Sequence, residues 1–343
     1  MVITKAMVLR EFNQPLLLEE VDQPGFGSEE VLLKVKAVGV CGTDLKIQRG
    51  EAPTKELPLI PGHEVAGVVA ATGEKVRHFR VGDEVLVSFY IPCNRCRACL
   101  NGRQTICENL KGRIGFELDG GFAEYVAVPE TCLLPKPPTL TFREAAVIPD
   151  AIATCYHALA KRAKVKAGDY LLMLGAGGGL GLHALQLARW LGARTIGVDV
   201  STEKLRLMQE YGAEVVIDGR DPAWSSSVLD YTGGHGADHV VNFVYHEQSI
   251  GEALKALGKG GQLVMIAYAE EFKFDALRTH LFEIDLLGTR AATKVDIEEC
   301  IKLVVEQKVK PVIGEVLKLE ELNAGLQLIQ NGNLKGRLVL DIE

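Results

Sequence analysis

Tyr170-Leu-Leu-Met-Leu-Gly-Ala-Gly-Gly-Gly-Leu-Gly181 is the stretch that decides the fold of this 343-residue chain. Its first five residues form an uninterrupted apolar run, which predicts a parallel strand buried on both faces. The glycines follow that strand directly, and Leu182–Leu191 then repeats apolar residues at helical spacing. A second strand, Thr195–Asp199, ends on an acid. A strand, a glycine-rich turn, a helix and a strand with a terminal acid predict a dinucleotide-binding unit.

The glycine-rich turn departs from the usual G-x-G-x-x-G spacing and fits G-x-x-G-x-x-G instead. Glycines there let the backbone approach a pyrophosphate at the helix N-terminus, where free N–H groups favour an anion. Asp199 is expected to accept hydrogen bonds from the adenosine ribose and to repel a 2′-phosphate, which favours NAD over NADP. Lys204 either adds a contact to the ribose or is a solvated helix lysine. The turn residues predicted to bind the cofactor are Gly175, Gly178, Gly179, Leu180 and Gly181.

Four of the eight cysteines fall within fifteen residues, with the spacing C-x2-C-x2-C-x7-C. In a reducing compartment such clustering indicates metal binding rather than disulfides. Four thiolates make a closed tetrahedral zinc site, which is structural because no position is left for substrate. An iron–sulfur cluster also takes four cysteines, but bacterial cluster sequences usually close with a tighter spacing and a proline. A nucleic-acid-binding zinc ribbon would usually be a small, basic, separate module. The predicted ligands, in a lobe near residues 90–110, are Cys93, Cys96, Cys99 and Cys107.

A second group of metal-binding residue types lies in Cys41-Gly-Thr-Asp-Leu and Pro61-Gly-His-Glu-Val. A thiolate and an imidazole together suit zinc, and three protein ligands with one open position make a catalytic site. Thr43 adds a hydroxyl two residues after Cys41. The alternative is that Cys41 is a buried small apolar residue and that His63 is a hydrogen-bonded turn histidine.

The remaining patterns predict two domains, since the chain is longer than one compact core usually holds. Up to about residue 140, short alternating runs between turn residues predict an antiparallel β domain with few helices, whose motif residues lie on loops and strand ends. Farther on, strands and helices alternate and complete a doubly wound sheet, with Gly258–Gly261 as a turn. The final segment is expected to return to the first domain. The predicted domains are therefore 1–153 with 293–343, and 154–292.

Composition excludes several classes of function. The formal net charge of -7 argues against a nucleic-acid-binding surface, which needs a basic face. No apolar run reaches the roughly 20 residues needed to span a bilayer, and the start of the chain lacks the pattern of a signal peptide. A cytoplasmic enzyme without a nucleic-acid or membrane partner is expected.

These motifs together resemble the zinc-containing medium-chain alcohol and polyol dehydrogenases over essentially the whole chain. The resemblance rests on the motifs around Cys41 and His63, the segment Asp119–Tyr125, the four-cysteine lobe, the glycine-rich turn and Gly336-Arg337. It implies an α/β fold, with a GroES-like antiparallel β catalytic domain and a doubly wound Rossmann domain. It also implies two zinc ions per chain, NAD, a small alcohol or ketone substrate, and a homodimer or homotetramer joined around Asp285–Gly288.

The resemblance also implies the ligands of the catalytic zinc. In the family the positions of Cys41 and His63 bind this metal, and that of Glu64 either binds it directly or lies just behind the ligands. The third ligand normally falls in a segment like residues 145–154, where relatives carry Cys, Glu or Asp. This implies Asp150 as the third ligand, with the neighbouring Cys155 as a rival.

The implied reaction is reversible hydride transfer between an alcohol carbon and the nicotinamide, with zinc as a Lewis acid. Thr154 corresponds to a threonine that packs on the nicotinamide, and Arg337 is implied to contact the cofactor. Thr43 is implied to take the hydroxyl proton. Where the family often has histidine this chain has Lys46, so the proton is expected to pass from Thr43 to the ribose hydroxyls and on to Lys46 or water.

Two other functions stay open on the sequence. The glycine spacing is closer to that of the quinone reductase branch, which indicates a zinc-independent NAD(P)H reductase of enones or quinones; that branch lacks the zinc ligands found here. A non-catalytic NAD-binding sensor is the other alternative, although its catalytic residues should have decayed. The substrate itself is not fixed, and its pocket walls are expected near Ile47, Phe89, Phe116 and Leu118.

Overall fold

The computed structural model describes residues 2–54, 57–244, 247–267 and 273–342, without the side chains at 247 and 248. The chain forms two compact units. Unit 1 comprises Met1–Asp150, Ala292–Val305 and Ile313–Glu343, and unit 2 comprises Ala151–Ala291 and Glu306–Val312.

The described residues form strands, α-helices and a few tighter or wider turns. The strands are β1 (Ile3–Val8), β2 (Leu17–Asp22), β3 (Glu30–Val40), β4 (Glu64–Thr72), β5 (Glu84–Val87), β6 (Tyr125–Pro129), β7 (Leu133–Pro135), β8 (Tyr170–Leu174), β9 (Arg194–Asp199), β10 (Val215–Asp218), β11 (Ala237–Asn242), β12 (Leu257–Met265), β13 (Asp285–Gly288), β14 (Ile313–Lys318) and β15 (Arg337–Asp341). The α-helices are α1 (Gly42–Gln48), α2 (Arg97–Leu100), α3 (Phe142–Ala146), α4 (Ala153–Tyr156), α5 (Gly181–Leu191), α6 (Thr202–Glu210), α7 (Trp224–Tyr231), α8 (Glu247–Ala256), α9 (Ala276–Phe282), α10 (Lys294–Val305) and α11 (Leu322–Gln330). Wider π-helical turns are formed by Ile148–Ile152 and His157–Ala163, and 3₁₀ turns by Gln104–Ile106, Glu130–Cys132 and Leu319–Glu321.

Unit 1 is built on a seven-stranded sheet in the order β14-β15-β3-β4-β5-β7, with β6 also paired to β3, and on a β1–β2 hairpin. The central strand, β3, runs antiparallel to β4, β6 and β15. Its side chains at Val31, Leu33, Val35 and Val38 are completely buried, as suits β-branched and apolar residues in a sheet interior. Because these pairings are antiparallel, the carboxyl end of β3 lies beside the amino ends of β4 and β15.

Unit 2 is a sheet of six parallel strands in the order β10-β9-β8-β11-β12-β13. Counted from β8 as the first strand, this order is 3-2-1-4-5-6, which is typical of dinucleotide-binding domains. Residues 171–174 of β8 are buried, as their apolar run predicts. Ligands of such sheets bind at the carboxyl ends of the strands where the order reverses, here between β8 and β11. The predicted α/β fold, with an antiparallel β domain and a doubly wound sheet, is confirmed.

Two local predictions are wrong. The segment after Cys41 was expected to be a loop but is helix α1, because Asp44 accepts a hydrogen bond from the N–H of Cys41 and caps the helix start. The segment Gly258–Gly261 was expected to be a turn but lies within β12. The register of β12 against β11 shifts between the pairs Ala237–Leu257 and His239–Gln262. The glycines lie in the bulge between these two pairs.

The domain boundaries also differ from the prediction: residues 151–153 lie in unit 2, and residue 292 lies in unit 1. Residues 306–312 were expected in the first domain, but they belong to unit 2. The reason is their hydrogen bonding to helix α5: the side chain of Gln186 pairs with both the N–H and the carbonyl of Lys310, and the N–H of Val312 donates to His183.

Candidate active site and cofactor loop

Cys41, His63 and Glu64 lie where β3, β4 and β15 meet. Cys41 directly follows β3, whereas His63 and Glu64 stand at the start of β4, and Arg337 begins β15. Gly39 pairs with Glu64 across the β3–β4 ladder, and a Cβ at this glycine would overlap with the Glu64 carboxylate. Strand pairing, together with a glycine that leaves room, therefore holds residues that are far apart in the sequence at one place.

Asp150 reaches the same centre from a different element. Helix α3 packs against β3, β4 and β15, and it begins with a capping box formed by Thr141 and Glu144. The π-helical turn Ile148–Ile152 follows, and Asp150 lies within it with only 8% of its surface exposed. A π-helical turn inserts an extra residue and is frequent at functional positions.

The ligand atoms of Cys41, His63, Glu64 and Asp150 all lie within 4.8 Å of one another, and the four residues are buried. Oδ2 of Asp150 lies 3.6 Å from Sγ of Cys41 and 3.8 Å from Nε2 of His63. Oε1 of Glu64 lies 3.9 Å from the same nitrogen. A sulfur, an imidazole nitrogen and carboxylate oxygens that face one point form a donor set suited to zinc.

The charges at this centre match a cation. Burial raises the pKa of Glu64 to about 7; the charge of Arg337 opposes this rise and that of Asp150 adds to it. Burial also opposes a charge on His63, but the Asp44 carboxylate and hydrogen bonds from neighbouring side chains raise the pKa of this histidine well above its usual value. The protein alone thus carries an excess of buried acidic groups, which favour protonation. A zinc ion would supply the positive charge, so these residues fit the metal.

Asp44 is a residue of this centre that sequence reasoning missed. Its Oδ2 accepts the N–H of Cys41 at 2.7 Å, and its Oδ1 lies 3.4 Å from Nδ1 of His63. Both atoms are buried, and neither makes a hydrogen bond within the described part of the chain, so they face each other at ion-pair distance. This leaves Nε2 of His63 for the metal, as in most zinc sites, where a carboxylate accepts from the second ring nitrogen. The available signal was an acid three residues after Cys41, in the capping position of a helix.

Arg337 contacts the carboxylates of the metal centre. Its Nη2 donates to Oδ2 of Asp150 at 2.7 Å and also contacts Oε1 of Glu64, while its Nε donates to Oε2 of Glu64 at 3.0 Å. Burial opposes the charge on Arg337, yet the negative groups of Cys41, Glu64 and Asp150 raise its pKa well above the usual value. The implied contact of Arg337 with the cofactor stays a prediction; in the structure its guanidinium holds two metal-site carboxylates.

Thr43 and Lys46, the predicted proton-relay residues, both lie on α1. Oγ1 of Thr43 lies 3.5 Å from Sγ of Cys41, so its hydroxyl stands beside a metal ligand. Lys46 is half-buried, and burial lowers its pKa, while the charges of Glu51 and Cys41 oppose this change. A lowered pKa brings an ammonium group closer to proton exchange near neutral pH. The route of the proton stays a prediction.

Two of the expected pocket walls pack on the histidine of the metal centre. The rings of Phe89 and Phe116 lie 5.0 Å and 5.2 Å from the ring of His63, and both are almost completely buried. Ile47 is also buried, whereas Leu118 is 40% exposed. The metal centre therefore has an apolar, aromatic side.

The four cysteines of the lobe form a second metal-binding group, with their sulfur atoms within 4.8 Å of one another. They come from one short segment, in which α2 begins after Cys96 and Asn94 takes a positive φ of 54°. A backbone hydrogen bond from Arg95 is the main cause that lowers the pKa of Cys93 to about 6, which favours the thiolate. Four sulfurs leave no open position, so the lobe fits a structural zinc ion.

The glycine-rich turn joins β8 to α5. Gly175 has a φ of 74°, a conformation that favours glycine. Oδ2 of Asp199 accepts the N–H of Gly177 at 3.1 Å, so this acid orders the turn in addition to its predicted role towards the ribose. A Cβ on Gly177 would overlap with Cβ of Lys204, which places the stem of this lysine against the turn. Gly175, Gly177, Asp199 and Lys204 are thus brought together.

Two predicted residues lie on α4. Thr154 is 5% exposed, and its contact with the nicotinamide stays a prediction. Cys155 donates its thiol hydrogen to the carbonyl of Leu180, at 3.3 Å. This cysteine therefore contacts the glycine-rich turn, and Asp150 is the residue that groups with Cys41.

Comparisons with known proteins agree with both parts of this geometry. Residues 27–138 match the alcohol dehydrogenase GroES-like domain, and residues 179–306 match the zinc-binding dehydrogenase family. An NAD-dependent alcohol dehydrogenase of Sulfolobus acidocaldarius is 36% identical over 347 residues, covering 98% of this chain and 99% of the relative. The chain belongs to the zinc-containing medium-chain alcohol dehydrogenase family.

This dehydrogenase is also similar to a solved alcohol dehydrogenase structure and to a reductase. The crystal structure of the alcohol dehydrogenase of Aeropyrum pernix matches with a TM-score of 0.92 at 32% identity, covering 98% of this chain and 99% of that one. An acryloyl-coenzyme A reductase of Sulfurisphaera tokodaii is 32% identical over 341 residues, covering 98% of this chain and 99% of the relative.

Family membership confirms the GroES-like and zinc-binding character predicted for this dehydrogenase, and the two ligand groups account for two zinc ions per chain. The enzyme is an oxidoreductase of the alcohol dehydrogenase kind. Among the described residues, none of the helices has the length and apolar character needed to cross a membrane.

Proposed function

We propose that this dehydrogenase uses zinc to transfer a hydride reversibly between NAD and an alcohol of the secondary alcohol or polyol class. The observation that carries the proposal is the buried convergence of Cys41, His63, Glu64 and Asp150, with ligand atoms within 4.8 Å of one another. Its donors are mixed, unlike the four sulfurs of the lobe. Catalytic zinc ions take about three protein ligands and leave a position for substrate.

When bound, zinc would supply a Lewis acid for the substrate oxygen, and NAD would supply the hydride acceptor. Residues of the chain position the metal ligands. Asp44 orients the ring of His63 and leaves Nε2 for the metal, and Arg337 holds the carboxylates of Glu64 and Asp150. Phe89 and Phe116 cover His63 and keep water from this side of the centre.

The alcohol must also lose a proton. In this proposal the hydroxyl of Thr43, which stands beside Cys41, receives the substrate proton as a general base relay. In the same step Thr43 gives its own hydroxyl hydrogen towards Lys46 or water, so that the hydroxyl stays neutral. The lowered pKa of Lys46, caused mainly by its burial, supports this residue as an exchange group.

NAD is the proposed dinucleotide. Asp199 ends β9 beside the glycine-rich turn, and a carboxylate at this place accepts from ribose hydroxyls and repels the 2′-phosphate of NADP. The relative from Sulfolobus acidocaldarius is named as NAD-dependent. Lys204, which packs on the turn, is the proposed second contact to the ribose.

Turnover of a broad alcohol and polyol panel, with NAD and NADP side by side, tests the proposal. We expect two zinc ions per chain by metal analysis, oxidation of some panel members with NAD preferred, and loss of this activity after a chelator removes the zinc of the catalytic centre. A zinc-loaded protein that oxidises no member of the panel would overturn the proposal.

A second candidate is the reduction of an activated double bond, because the relative from Sulfurisphaera tokodaii is named an acryloyl-coenzyme A reductase. Adding acryloyl-CoA with NADH or NADPH to the same panel separates the two. Reduction that survives removal of the catalytic zinc would favour this candidate over the alcohol dehydrogenase.

The proposal also includes a homodimer or homotetramer in the cytoplasm. β13 (Asp285–Gly288) is an edge strand of the sheet of unit 2 among the described residues, and an unpaired edge can pair with a second copy. Eight free cysteines suit a reducing compartment. Solution mass by light scattering checks the oligomer; a monomer at micromolar concentration would refute this part.

A further inference from the structure

His183 lies at the start of α5, four residues after Gly179 of the glycine-rich turn, and is completely buried. Its Nε2 accepts the N–H of Val312 at 2.8 Å, and its Nδ1 lies 2.6 Å from the carbonyl oxygen of Gly179. A backbone N–H can only donate, so Nε2 must carry the lone pair. The imidazole is therefore neutral with its proton on Nδ1, and it donates this proton to Gly179.

The ring of His183 donates to the carbonyl of Gly179, which accepts no backbone N–H of α5 among the described residues. The N–H of His183 donates to the carbonyl of Leu180, three residues back. The N–H groups of Leu182 and Ala184, on either side, donate to the carbonyls of Gly178 and Leu180. The Gly179 carbonyl is thus met by the side chain of His183 at the helix start. Asp199 holds the N–H of Gly177, so side chains hold the turn at two of its peptide groups.

The direction of one carbonyl fixes the direction of the next N–H. A trans peptide is planar, with the carbonyl and the following N–H pointing to opposite sides. Because His183 draws the Gly179 carbonyl inwards, the N–H of Leu180 points outwards. Within the described part of the chain, the N–H groups of Gly179, Leu180 and Gly181 donate to no protein acceptor. Such N–H groups at a helix start are the donors that bind a pyrophosphate.

We propose that His183 is a positioning residue of the dinucleotide site: its Nδ1–H holds the Gly179 carbonyl, and this aims the N–H of Leu180 at the cofactor pyrophosphate. The inference rests on the proposed binding of NAD. The contact of His183 with Val312 anchors residues 310–312 to α5 and is a separate, stabilising contact.

Two substitutions separate the contacts of His183. In His183→Asn the amide nitrogen takes the place of Nδ1 and keeps the bond to Gly179, while the contact with Val312 is lost. In His183→Gln the amide oxygen reaches the place of Nε2 and keeps the bond from Val312, while Gly179 loses its partner. His183→Ala loses both. Gln186→Ala is the control, because it frees Lys310 from α5 without touching the turn.

Fluorescence titration with NADH on the zinc-loaded protein gives the Kd of each form, and thermal unfolding gives its stability. We expect His183→Gln and His183→Ala to weaken NADH about tenfold, the equivalent of one hydrogen bond, and His183→Asn to stay within about threefold of the wild type. All four variants should lower Tm, including Gln186→Ala, which should keep the wild-type affinity. ADP-ribose should show the same tenfold loss and adenosine, which lacks the pyrophosphate, none.

Equal affinity in His183→Gln and the wild type, or equal loss in His183→Asn and His183→Gln, would overturn the inference. If His183→Gln does not fold, the pair His183→Ala and His183→Asn decides by the same criterion. Wild-type protein that binds no NADH would instead refute the proposed cofactor itself, so the two failures are distinguishable.

Discussion

The two metal-binding groups of the dehydrogenase are assembled in opposite ways. The lobe takes four ligands of one kind from a single short segment, residues 93–107. The catalytic centre collects a thiol, an imidazole and two carboxylates from the ends of two strands and from a π-helical turn. The comparison teaches that a local group needs only its own segment, whereas a distributed group exists only when the strands pair in the correct register.

Loss of one ligand should separate the two groups most strongly. Cys41→Ser should reduce kcat/KM for alcohol oxidation by about 10³-fold, because a Lewis acid contributes several kcal/mol to the transition state. The matched lobe variant Cys99→Ser should mainly lower Tm, since a structural zinc stabilises the fold. Turnover, thermal unfolding and metal analysis check this, with one zinc ion lost in each variant. Wild-type turnover in Cys41→Ser would contradict the assignment of the centre.

Asp44 belongs to the distributed centre without binding the metal, so its effect should be smaller. Asp44→Asn keeps an acceptor for the N–H of Cys41 but removes the charge beside His63, and we expect a loss of about 10–100-fold in zinc affinity at this centre. Competition with a chromophoric chelator measures it. Asp83→Asn, which alters a comparable carboxylate bond to the N–H of Arg80, is the control and should leave zinc affinity unchanged.

Gly39 and Gly42, on either side of Cys41 in the sequence, test whether the centre depends on the room that a glycine leaves for the Glu64 carboxylate. Gly39→Ala should cost about 1–3 kcal/mol of stability, the usual effect of overpacking, because the new methyl group overlaps with the Glu64 carboxylate. Gly42→Ala introduces the same group where no atom lies within 4 Å and should be nearly neutral. Urea unfolding of both variants decides; equal stability losses would show that Gly39 has no special role.

In zinc-stripped protein, a smaller effect is expected on the rates at which individual thiols are alkylated. The pKa of Cys93 is lowered to about 6, first by a backbone hydrogen bond from Arg95, whereas burial raises that of Cys132 to about 12. At pH 7 Cys93 is therefore mostly thiolate and should be alkylated first. Its rate should fall as the pH drops through about 6, where the thiol is protonated. Mass spectrometry after short iodoacetamide pulses checks the order, and equal rates at the two cysteines would count against it.

The same contrast decides what the sequence can predict. The lobe and the glycine-rich turn are patterns of short spacing, so local residues sufficed to predict a cysteine cluster and a dinucleotide loop. The link between Cys41 and Asp150 had to come from a family resemblance. Nothing local joins these two residues, because the packing of α3 on the sheet brings them together.

Contacts between side chains on two different elements could not be predicted from the sequence. Arg337 was expected only at the cofactor, because its bonds to Glu64 and Asp150 require β15 to pair with β3. Asp44 and His183 looked like ordinary polar residues, since the groups that they face, the ring of His63 and the N–H of Val312, are distant in the sequence.

Strand β15 has a consequence for the order in which the chain is synthesised. The last cysteine of the lobe is residue 107, and Arg337 follows 337 − 107 = 230 residues later. At about 5–20 residues per second, this interval lasts roughly 10–45 s. The lobe can therefore load its ion on the ribosome, whereas Arg337 reaches Glu64 and Asp150 only when β15 has paired with β3. A nascent chain arrested after β9 should accordingly bind the lobe zinc as firmly as the finished protein does, and the zinc of the catalytic centre more weakly.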